Sequence, residues 1–475
     1  MITYNTQRRR RTCLVVAASA LVLAACSGKL NDALLQATDP DIIDPSVLQN
    51  ADGAEGLRIG TISRLNTLTA AAPGNAEGVW FMGGLLVDEW KSGDTFTQRD
   101  ETDRRIIAPP FDNSIITAGY RYIHRTRISA NLAIDGLRKF KPTPAANIAQ
   151  MYFIRAYAEL LSGENFCNGQ PFSDGSQGDV IQEGTPQTVL QALQRAVSSA
   201  DSAIGTIGAA TDAQSVNILN ATKLVKARAL MSISTDNFAA AKATVAGVPT
   251  AYAYNVGFSQ NATLNGIWAL NNNAKRYVVG DSVDATGVIR NSLPFKSAKD
   301  PRVPTSGTGR AFDSTTPFTQ QLIWASTGSP AGSEDVVAVV NGIDARLIEA
   351  EVALFQGDVA GWLGILNTLR TGPTQLSGAA PLGVTIAGMA PLADPGSAGA
   401  RVSLQFREKA FWTFARGERL GDARRLIRQY GRPQDQVFPV GTFHKGGAYG
   451  TDVNLPVPQA EENNTLFKGC TDRNA

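Results

Sequence analysis

The stretch FREKAFWTFARGERLGDARRLIRQYGR, residues 406–432, combines two helical patterns with a glycine between them. Phe406, Ala410 and Phe414 recur every four residues, which places them on one face of an α-helix. The first helix should run to Gly417, and an arginine-rich second helix should end at Gly431, because glycine commonly follows the last residue of a helix. The stretch therefore predicts a pair of helices near the C-terminus, the second of them highly charged.

The charges of the second helix are regularly spaced. Arg419, Asp422 and Arg425 lie three residues apart, so Asp422 can pair with an arginine one turn away. Two roles are open: a ligand-binding charge cluster, or a structural ion-pair network that fixes the terminal helices to the rest of the chain. We favour the structural role. Asp300-Pro301-Arg302 is likewise interpreted as a turn with an anchored arginine.

Further helix pairs precede this stretch. Residues 221–245 and 343–370 each consist of an alanine-rich helix, a short turn that carries an aspartate, and a second helix. Asp236 and Asp358 should cap these second helices, since a carboxylate at the N-cap accepts from the free N–H groups of the first turn. The form is similar to tetratricopeptide-type helix pairs, although alanine-rich hairpins also occur in unrelated helical proteins.

Glycine- and proline-rich segments interrupt the helices. Residues 151–161 have one apolar face, and Gly163 should end that helix. Residues 246–330 are rich in Asn, Gly, Ser, Thr and Pro and predict long loops with short strands on a helical scaffold. Residues 372–403 form a second such insertion.

The N-terminus has the pattern of an export signal. A basic cluster, Arg8 to Arg11, precedes thirteen mostly apolar residues, 13–25, which is short of the roughly 20 residues needed to span a bilayer. The stretch LVLAACSGK, residues 21–29, resembles a bacterial lipobox, and this resemblance implies cleavage before Cys26 and lipidation of its thiol. The alternative is an ordinary signal peptide with an incidental cysteine.

Cysteine use fits an oxidising compartment. The four cysteines of the chain include Cys13 in the signal and Cys26 at the lipobox, which leaves Cys167 and Cys470. An even pair in an exported protein predicts a disulfide, here closing a loop of about 300 residues. Two free buried thiols are the alternative.

Composition and motifs argue against several functions. A formal net charge of +2 gives no indication of nucleic-acid binding. With only two histidines, His124 and His444, the sequence argues against histidine-based catalysis or metal binding. Glu408 and Glu418 suggest the acid pair of a glycoside hydrolase, but they lie on or beside an arginine-rich helix with no sign of a cleft. We find no nucleophile elbow, H-E-x-x-H, P-loop or paired C-x-x-C, so no catalytic residue, metal or cofactor is predicted.

Two motifs carry a family resemblance. The G-x-R-x-x-D-x-x-R core is made by Gly417, Arg419, Asp422 and Arg425, and a late P-x-x-E motif is made by Pro458 and Glu461. Together with Asp300 and Arg302, these residues resemble the SusD/RagB family of nutrient-uptake outer-membrane lipoproteins. Departures from the family pattern mark a divergent member: Arg416 replaces the usual acid, Ala423 a leucine, and Thr465 a proline.

The resemblance implies a mainly α fold, SusD-like, with tetratricopeptide-type helix pairs and long loop-rich insertions in one compact body. The expected regions are a lipoprotein signal peptide over residues 1–25, a lipid-anchored tether and short helix over 26–53, an N-terminal helical region over 54–245, a loop-rich insertion over 246–340 and a C-terminal region over 341–475.

The resemblance also implies a function. The chain would be a non-enzymatic, surface-exposed lipoprotein of the outer membrane that captures an oligosaccharide or a peptide and acts as the lid of a SusC-like TonB-dependent transporter. A lipid-tethered surface hydrolase and a helical-repeat envelope scaffold are the alternatives. Aromatic faces that could stack on sugar rings are offered by Trp80, Trp90, Trp268 and Trp324, with Trp90 the best candidate; core packing is the competing role for each.

Overall fold

The computed structural model describes residues 49–72, 77–175, 182–324, 326–372, 374–375, 385–386 and 389–475, and the signal peptide, Cys26 and most of the tether lie outside them. The α-helices of the described residues are α1 Ala51–Leu68, α2 Val79–Leu86, α3 Thr97–Asp103, α4 Ser114–Phe140, α5 Ala145–Asn165, α6 Val189–Ile207, α7 Ala213–Ile233, α8 Phe238–Val245, α9 Gly342–Phe355, α10 Val359–Thr371, α11 Ala398–Trp412 and α12 Arg419–Arg428. The strands are β1 Trp90–Ser92, β2 Gln170–Pro171, β3 Pro186–Gln187, β4 Ala253–Val256, β5 Tyr277–Val279, β6 Val283–Asp284, β7 Gly287–Val288, β8 Thr305–Ser306, β9 Gln320–Gln321, β10 Val337–Asn341, β11 Thr374–Gln375 and β12 Thr385–Ile386. The fold is mainly α, as predicted.

Consecutive helices pack against one another along the chain, from α4 to α8 and again from α9 to α10. The contact between α5 and α6 is the most extensive of these. It explains why residue 163 is a glycine. A Cβ atom at that position would lie 2.7 Å from Leu193 Cγ on α6. The prediction that Gly163 ends its helix is therefore wrong: α5 continues to Asn165, and the glycine permits a close helix approach instead.

Side-chain caps set several helix starts. Thr188 and Gln191 form a capping box at α6, and Asn341 and Asp344 form one at α9. Asp358 accepts from Gly361 N at the start of α10, as predicted.

The cap predicted at Asp236 is wrong. This residue lies within a 3₁₀ turn, Thr235–Asn237, which Ser234 caps. Helix α8 starts after Asn237, which makes no side-chain cap hydrogen bond. The 3₁₀ turn satisfies the backbone locally and removes the need for a carboxylate cap.

The terminal pair, α11 and α12, is shorter than its sequence pattern. Helix α11 ends at Trp412, so Phe414 lies in the connection rather than on the helix. Ala415 and Gly417 both have positive φ, 61° and 70°, which reverses the chain. A Cβ atom at Gly417 would also lie 2.1 Å from the Trp80 ring. Both the backbone conformation and the close approach of Trp80 therefore require glycine at this position.

The strands form two-stranded antiparallel ladders between loops. Two of the ladders connect distant parts of the chain: β1 pairs with β5, with Trp90 opposite Val279, and β10 pairs with β4. Residues 50–475 form one compact unit. None of the described helices combines the length and the apolar character needed to cross a membrane.

Candidate functional site: a polar cleft with an aromatic rim

A cleft of about 480 Å³ opens above the β1–β5 ladder. One wall is the segment from β1 to α3, a second comprises β5 and the β6–β7 hairpin, and a third is the loop 313–319. The turn at residues 444–445 closes the remaining side. Its charged lining residues are Lys91, Asp94, Asp100, Asp281, Asp284, Lys296, Asp313 and Lys445.

Most of these charges are paired within the protein. Lys445 contacts Asp100 at 2.7 Å and Asp313 at 3.2 Å, and Lys91 contacts Asp284 at 3.6 Å. Burial favours the neutral acid at Asp313, but hydrogen bonds from Thr316, Thr315 and Lys445 outweigh it and lower the pKa to about 2. The cleft thus presents many fixed donors and acceptors with little uncompensated charge.

A second group of ion pairs surrounds Asp94, one of the residues that line the cleft. Asp94 accepts from Arg99 on one oxygen and from Arg276 Nη1 at 2.7 Å on the other. Arg99 also binds Glu77, and the Arg99 and Glu77 side chains are fully buried. Removing Asp94 would leave two guanidinium groups short of a partner, so this carboxylate is part of the support of the cleft.

The floor of the cleft holds buried titratable groups. Burial lowers the pKa of His444 to about 4, and its neutral ring donates from Nε2 to the Ser92 carbonyl oxygen at 2.9 Å. Burial raises the pKa of Asp103 to about 8, although its Oδ2 accepts from Ser92 N at 2.6 Å. Burial also lowers the pKa of Lys91. His444 and Asp103 both hydrogen-bond to the Ser92 backbone and so hold β1 in place.

Two exposed phenylalanines are close in sequence to residues that line the cleft: Phe96 lies between Asp94 and Asp100, and Phe312 precedes Asp313. Phe96 is 41% exposed and Phe312 is 46% exposed. The Arg276 guanidinium lies 3.8 Å from the Phe312 ring centroid and 5.1 Å from that of Phe96, a double cation–π contact. Because Arg276 is tied to Asp94, the two rings are linked to the cleft lining. Exposed planar rings beside fixed polar groups are the usual means of binding a ligand that has both apolar and hydroxyl faces.

The four tryptophans proposed as ligand platforms are buried. Trp80 and Trp90 are 1% exposed, Trp268 is 7% and Trp324 is 0% exposed. Trp90 packs against Phe414 and Tyr277 rather than facing the cleft. Their proposed stacking role is therefore wrong, and core packing is their role.

The segment that contains the buried Trp90 also contains the exposed ring of Phe96. Phe96 stands six residues after Trp90, within the polar run GDTFTQRD, and Phe312 stands in RAFDSTT. Each of these phenylalanines is a single aromatic residue among turn-forming polar residues, which favours exposure. Trp90 also has charged neighbours, Glu89 and Lys91, so its burial cannot be predicted from the local sequence.

The residues of the C-terminal motif lie in a buried ion-pair network. Arg419 binds Asp88 at 2.8 and 3.0 Å, and Arg425 binds Glu351. Asp422 accepts from Lys409 at 2.8 Å and lies 3.4 Å from Arg425. All of these groups are buried. The arrangement supports the structural role and joins α12 to α9, to α11 and to the segment between α2 and β1 that carries Asp88.

Asp300 and Arg302 form a second part of this network. Arg302 donates to both oxygens of Asp300 and, at 2.7 and 3.1 Å, to Glu408 on α11. Arg370 donates to the same Glu408. Although burial opposes ionisation, Arg228, Lys409 and Arg416 lower the pKa of Glu418. Neither glutamate is therefore placed as a free catalytic acid.

The remaining sequence-predicted residues are structural too. Cys167 and Cys470 form a disulfide with an S–S distance of 2.09 Å, which joins the end of α5 to the C-terminal tail. Pro458 is buried at the start of a 3₁₀ helix, Gln459–Asn463, that contains Glu461. His124 stacks within 4.5 Å of Tyr120 in the core.

Comparison with known proteins identifies the fold. A SusD homologue from Bacteroides thetaiotaomicron superposes with a TM-score of 0.60 at 12% identity, covering 89% of this chain and 97% of that one. A SusD-like carbohydrate-binding protein from Bacteroides fragilis gives 0.58 at 12% identity with 88% and 98% coverage, and a laminarin-binding SusD-like protein gives 0.55 at 14% identity with 89% and 99% coverage. No protein-family model and no curated protein matches the sequence. The similarity therefore lies in the architecture of nearly the whole chain.

Proposed function

This chain has the SusD-like fold, and from that premise we propose that it is a glycan-capturing lipoprotein of the bacterial outer membrane that serves as the lid of a SusC-like TonB-dependent transporter. The neighbours in structure whose names state a ligand are carbohydrate-binding proteins, one of them binding laminarin. The fold thus supports glycan capture as the general activity. The transporter partnership and the lipid anchor at Cys26 are more specific than the fold and form the remaining parts of the proposal.

The observation that carries the proposal is the polar cleft with its two exposed rings. A sugar ring has apolar C–H faces and a rim of hydroxyl groups, so it is bound best by a planar aromatic surface beside fixed hydrogen-bonding groups. Phe96 and Phe312 supply the surface, and the paired Asp and Lys side chains supply the donors and acceptors. Because the charges are already paired, a neutral ligand need not break an ion pair to enter.

The anchor and the lid follow from a different set of observations. The lipobox at Cys26 supports attachment by acyl chains, which hold a protein on a membrane surface without a spanning helix. A tightly cross-linked helical body gives a rigid frame on which loops carry recognition. A lid that seals a transporter mouth needs a large interface, and stable complexes bury about 1,200–2,000 Å² or more.

The first test is ligand binding by the purified mature protein, measured by calorimetry against panels of oligosaccharides and peptides. We expect glycan binding, and Phe312→Ala should weaken it by about 1–3 kcal/mol, roughly 5- to 150-fold, since a half-exposed ring completes its burial on the ligand. Phe355→Ala is the matched control, because Phe355 is 51% exposed on α9 and its ring packs against Phe238 on α8, whereas Phe312 directly precedes the lining residue Asp313. Peptide binding without glycan binding would change the ligand class, and turnover of either panel would favour a hydrolase.

The second test is co-purification of the full-length protein from detergent-solubilised membranes, followed by mass spectrometry. We expect recovery together with a TonB-dependent β-barrel. Recovery of the protein alone, under conditions where a control envelope complex survives, would refute the lid and favour a scaffold.

A further inference from the structure

The turn that closes the cleft is a short glycine-rich hairpin, residues 441–449. Its backbone is held by Phe443 N donating to Gly447 O at 2.9 Å and Gly446 N donating to Phe443 O at 2.8 Å. Gly446 and Gly447 have φ of 99° and 75°, values that glycine adopts without strain. This geometry presents Lys445 at the hairpin tip, where its side chain is 17% exposed.

The Lys445 ammonium is surrounded by oxygens from separate parts of the chain. It donates to Asp100 Oδ1 at 2.7 Å and to the backbone oxygen of Asp94, and it lies 3.2 Å from Asp313 Oδ2. Ser92 Oγ lies 3.5 Å away. An ammonium has three donors, and here they are directed to two carboxylates and a carbonyl.

These partners flank the two exposed rings. Phe96 precedes α3 and lies between Asp94 and Asp100 in the chain, and Asp313 directly follows Phe312. The loop of Phe312 is otherwise tied to this wall by Asp313 N donating to Gly93 O at 2.9 Å. One cation from the C-terminal region therefore bridges the segments that carry both rings.

We propose that Lys445 is a positioning residue. It sets the spacing of the two exposed rings, Phe96 and Phe312, and so determines the affinity of the cleft for its ligand. The ligand part of this inference rests on the function proposed above. Lys445 acts through its partners: its charge draws Asp100 and Asp313 to one point, and the rings follow the backbone on which they stand. Without Lys445 the two segments would be joined less firmly, through Arg276 and the Asp313 N–Gly93 O hydrogen bond, and a ligand would then have to order the rings further on binding.

The test uses the mature protein with Lys445→Ala, which removes the equivalent of n-propylammonium from the site. We expect at least a tenfold loss of glycan affinity. Added n-propylammonium should restore most of it, whereas tetramethylammonium at equal concentration should not, because it has the charge but no N–H donor. Lys468→Ala, at an exposed lysine whose ammonium donates to the Thr465 carbonyl at 3.3 Å, is the control for loss of a surface charge.

A second readout does not depend on any glycan. Amide hydrogen exchange in the ligand-free protein should accelerate over residues 94–100, 311–319 and 441–449 in Lys445→Ala and return toward wild type with n-propylammonium. Lys445→Met, which keeps the apolar stem, serves if the alanine variant folds poorly.

The outcomes separate the two proposals. If the wild type binds no glycan while exchange responds as expected, the proposed ligand is wrong and the bridging role of Lys445 stands. If the wild type binds glycan and Lys445→Ala binds it equally well, or if tetramethylammonium restores binding as effectively as n-propylammonium, the positioning role is refuted.

Discussion

Glu89 is a buried carboxylic acid whose proton should control the pH dependence of stability. It lies beside Trp90 at the start of β1 with no exposed surface. Its Oε1 accepts from Ala415 N at 3.1 Å, while Oε2 is buried without a hydrogen-bond partner. The nearest arginine, Arg419, is already bound to Asp88. Burial therefore dominates and raises the pKa of Glu89 from its ordinary value of 4.5 to about 8.

The magnitude follows from proton linkage. Between pH 4.5 and 8 the folded chain keeps a proton that the unfolded chain releases, so the free energy of unfolding falls as the pH rises through this window. Each unit of difference is worth 1.36 kcal/mol, so Glu89 should lower stability by about 4 kcal/mol at pH 8 relative to pH 4.5.

Glu89→Gln removes this dependence at almost constant shape, since the amide oxygen can accept from Ala415 N as the carboxyl does. The variant should match the wild type near pH 5 and exceed its stability by about 4 kcal/mol at pH 8. Urea unfolding of the mature protein, followed by circular dichroism at half-unit steps from pH 5 to 8.5, measures the difference. Glu462→Gln controls for the loss of one exposed carboxylate.

The shape of the difference curve decides the outcome. A difference between variant and wild type that stays constant over this pH range would mean that Glu89 titrates alike in both states, and the reasoning from burial would be refuted.

Three further predictions concern the ion-pair network, the disulfide and the anchor. Glu408→Gln should destabilise the fold by about 3–5 kcal/mol in chemical denaturation because it leaves the buried Arg302 and the partly buried Arg370 short of a charge partner, whereas Asp394→Asn, in an exposed pair, should change little. Non-reducing peptide mapping should find Cys167 linked to Cys470, and replacing both by alanine should cost up to about 5–6 kcal/mol in the chain-entropy view; two free thiols in envelope-derived protein would contradict this. Cys26→Ser should yield uncleaved or soluble protein on detergent-phase partitioning, and an acylated variant would overturn the lipobox assignment.

Several features could be predicted because they depend on neighbours in sequence. The helix pairs follow from apolar spacing and short turns, and the cap at Asp358 follows from a carboxylate three residues before a free N–H group. The spacing of Arg419, Asp422 and Arg425 was enough to indicate an ion-pair network. The cysteine pair could be proposed because only Cys167 and Cys470 lie outside the predicted signal peptide and lipobox. The SusD-like resemblance, carried by a few motif residues, is confirmed at the level of the fold.

Failures occurred where long-range packing overrides the local pattern. Gly163 has the sequence context of a helix stop, but a neighbouring helix occupies the space that a side chain would need. Phe414 continues the apolar spacing of α11, yet the chain leaves the helix two residues earlier because Ala415 and Gly417 take left-handed backbone conformations.

The sequence by itself determined the helical class, the order of the helix pairs and the charged C-terminal motif, because periodicity, capping and i, i+3 pairing act over a few residues. Only the tertiary structure decided which rings face solvent and where the cleft lies. The cleft joins residues 91–100, 278–319 and 444–445, which no local pattern connects. Burial depends on the sum of all surrounding elements, so Trp90 is enclosed by Tyr277 and Phe414 from distant segments, while the nearby Phe96 stays exposed.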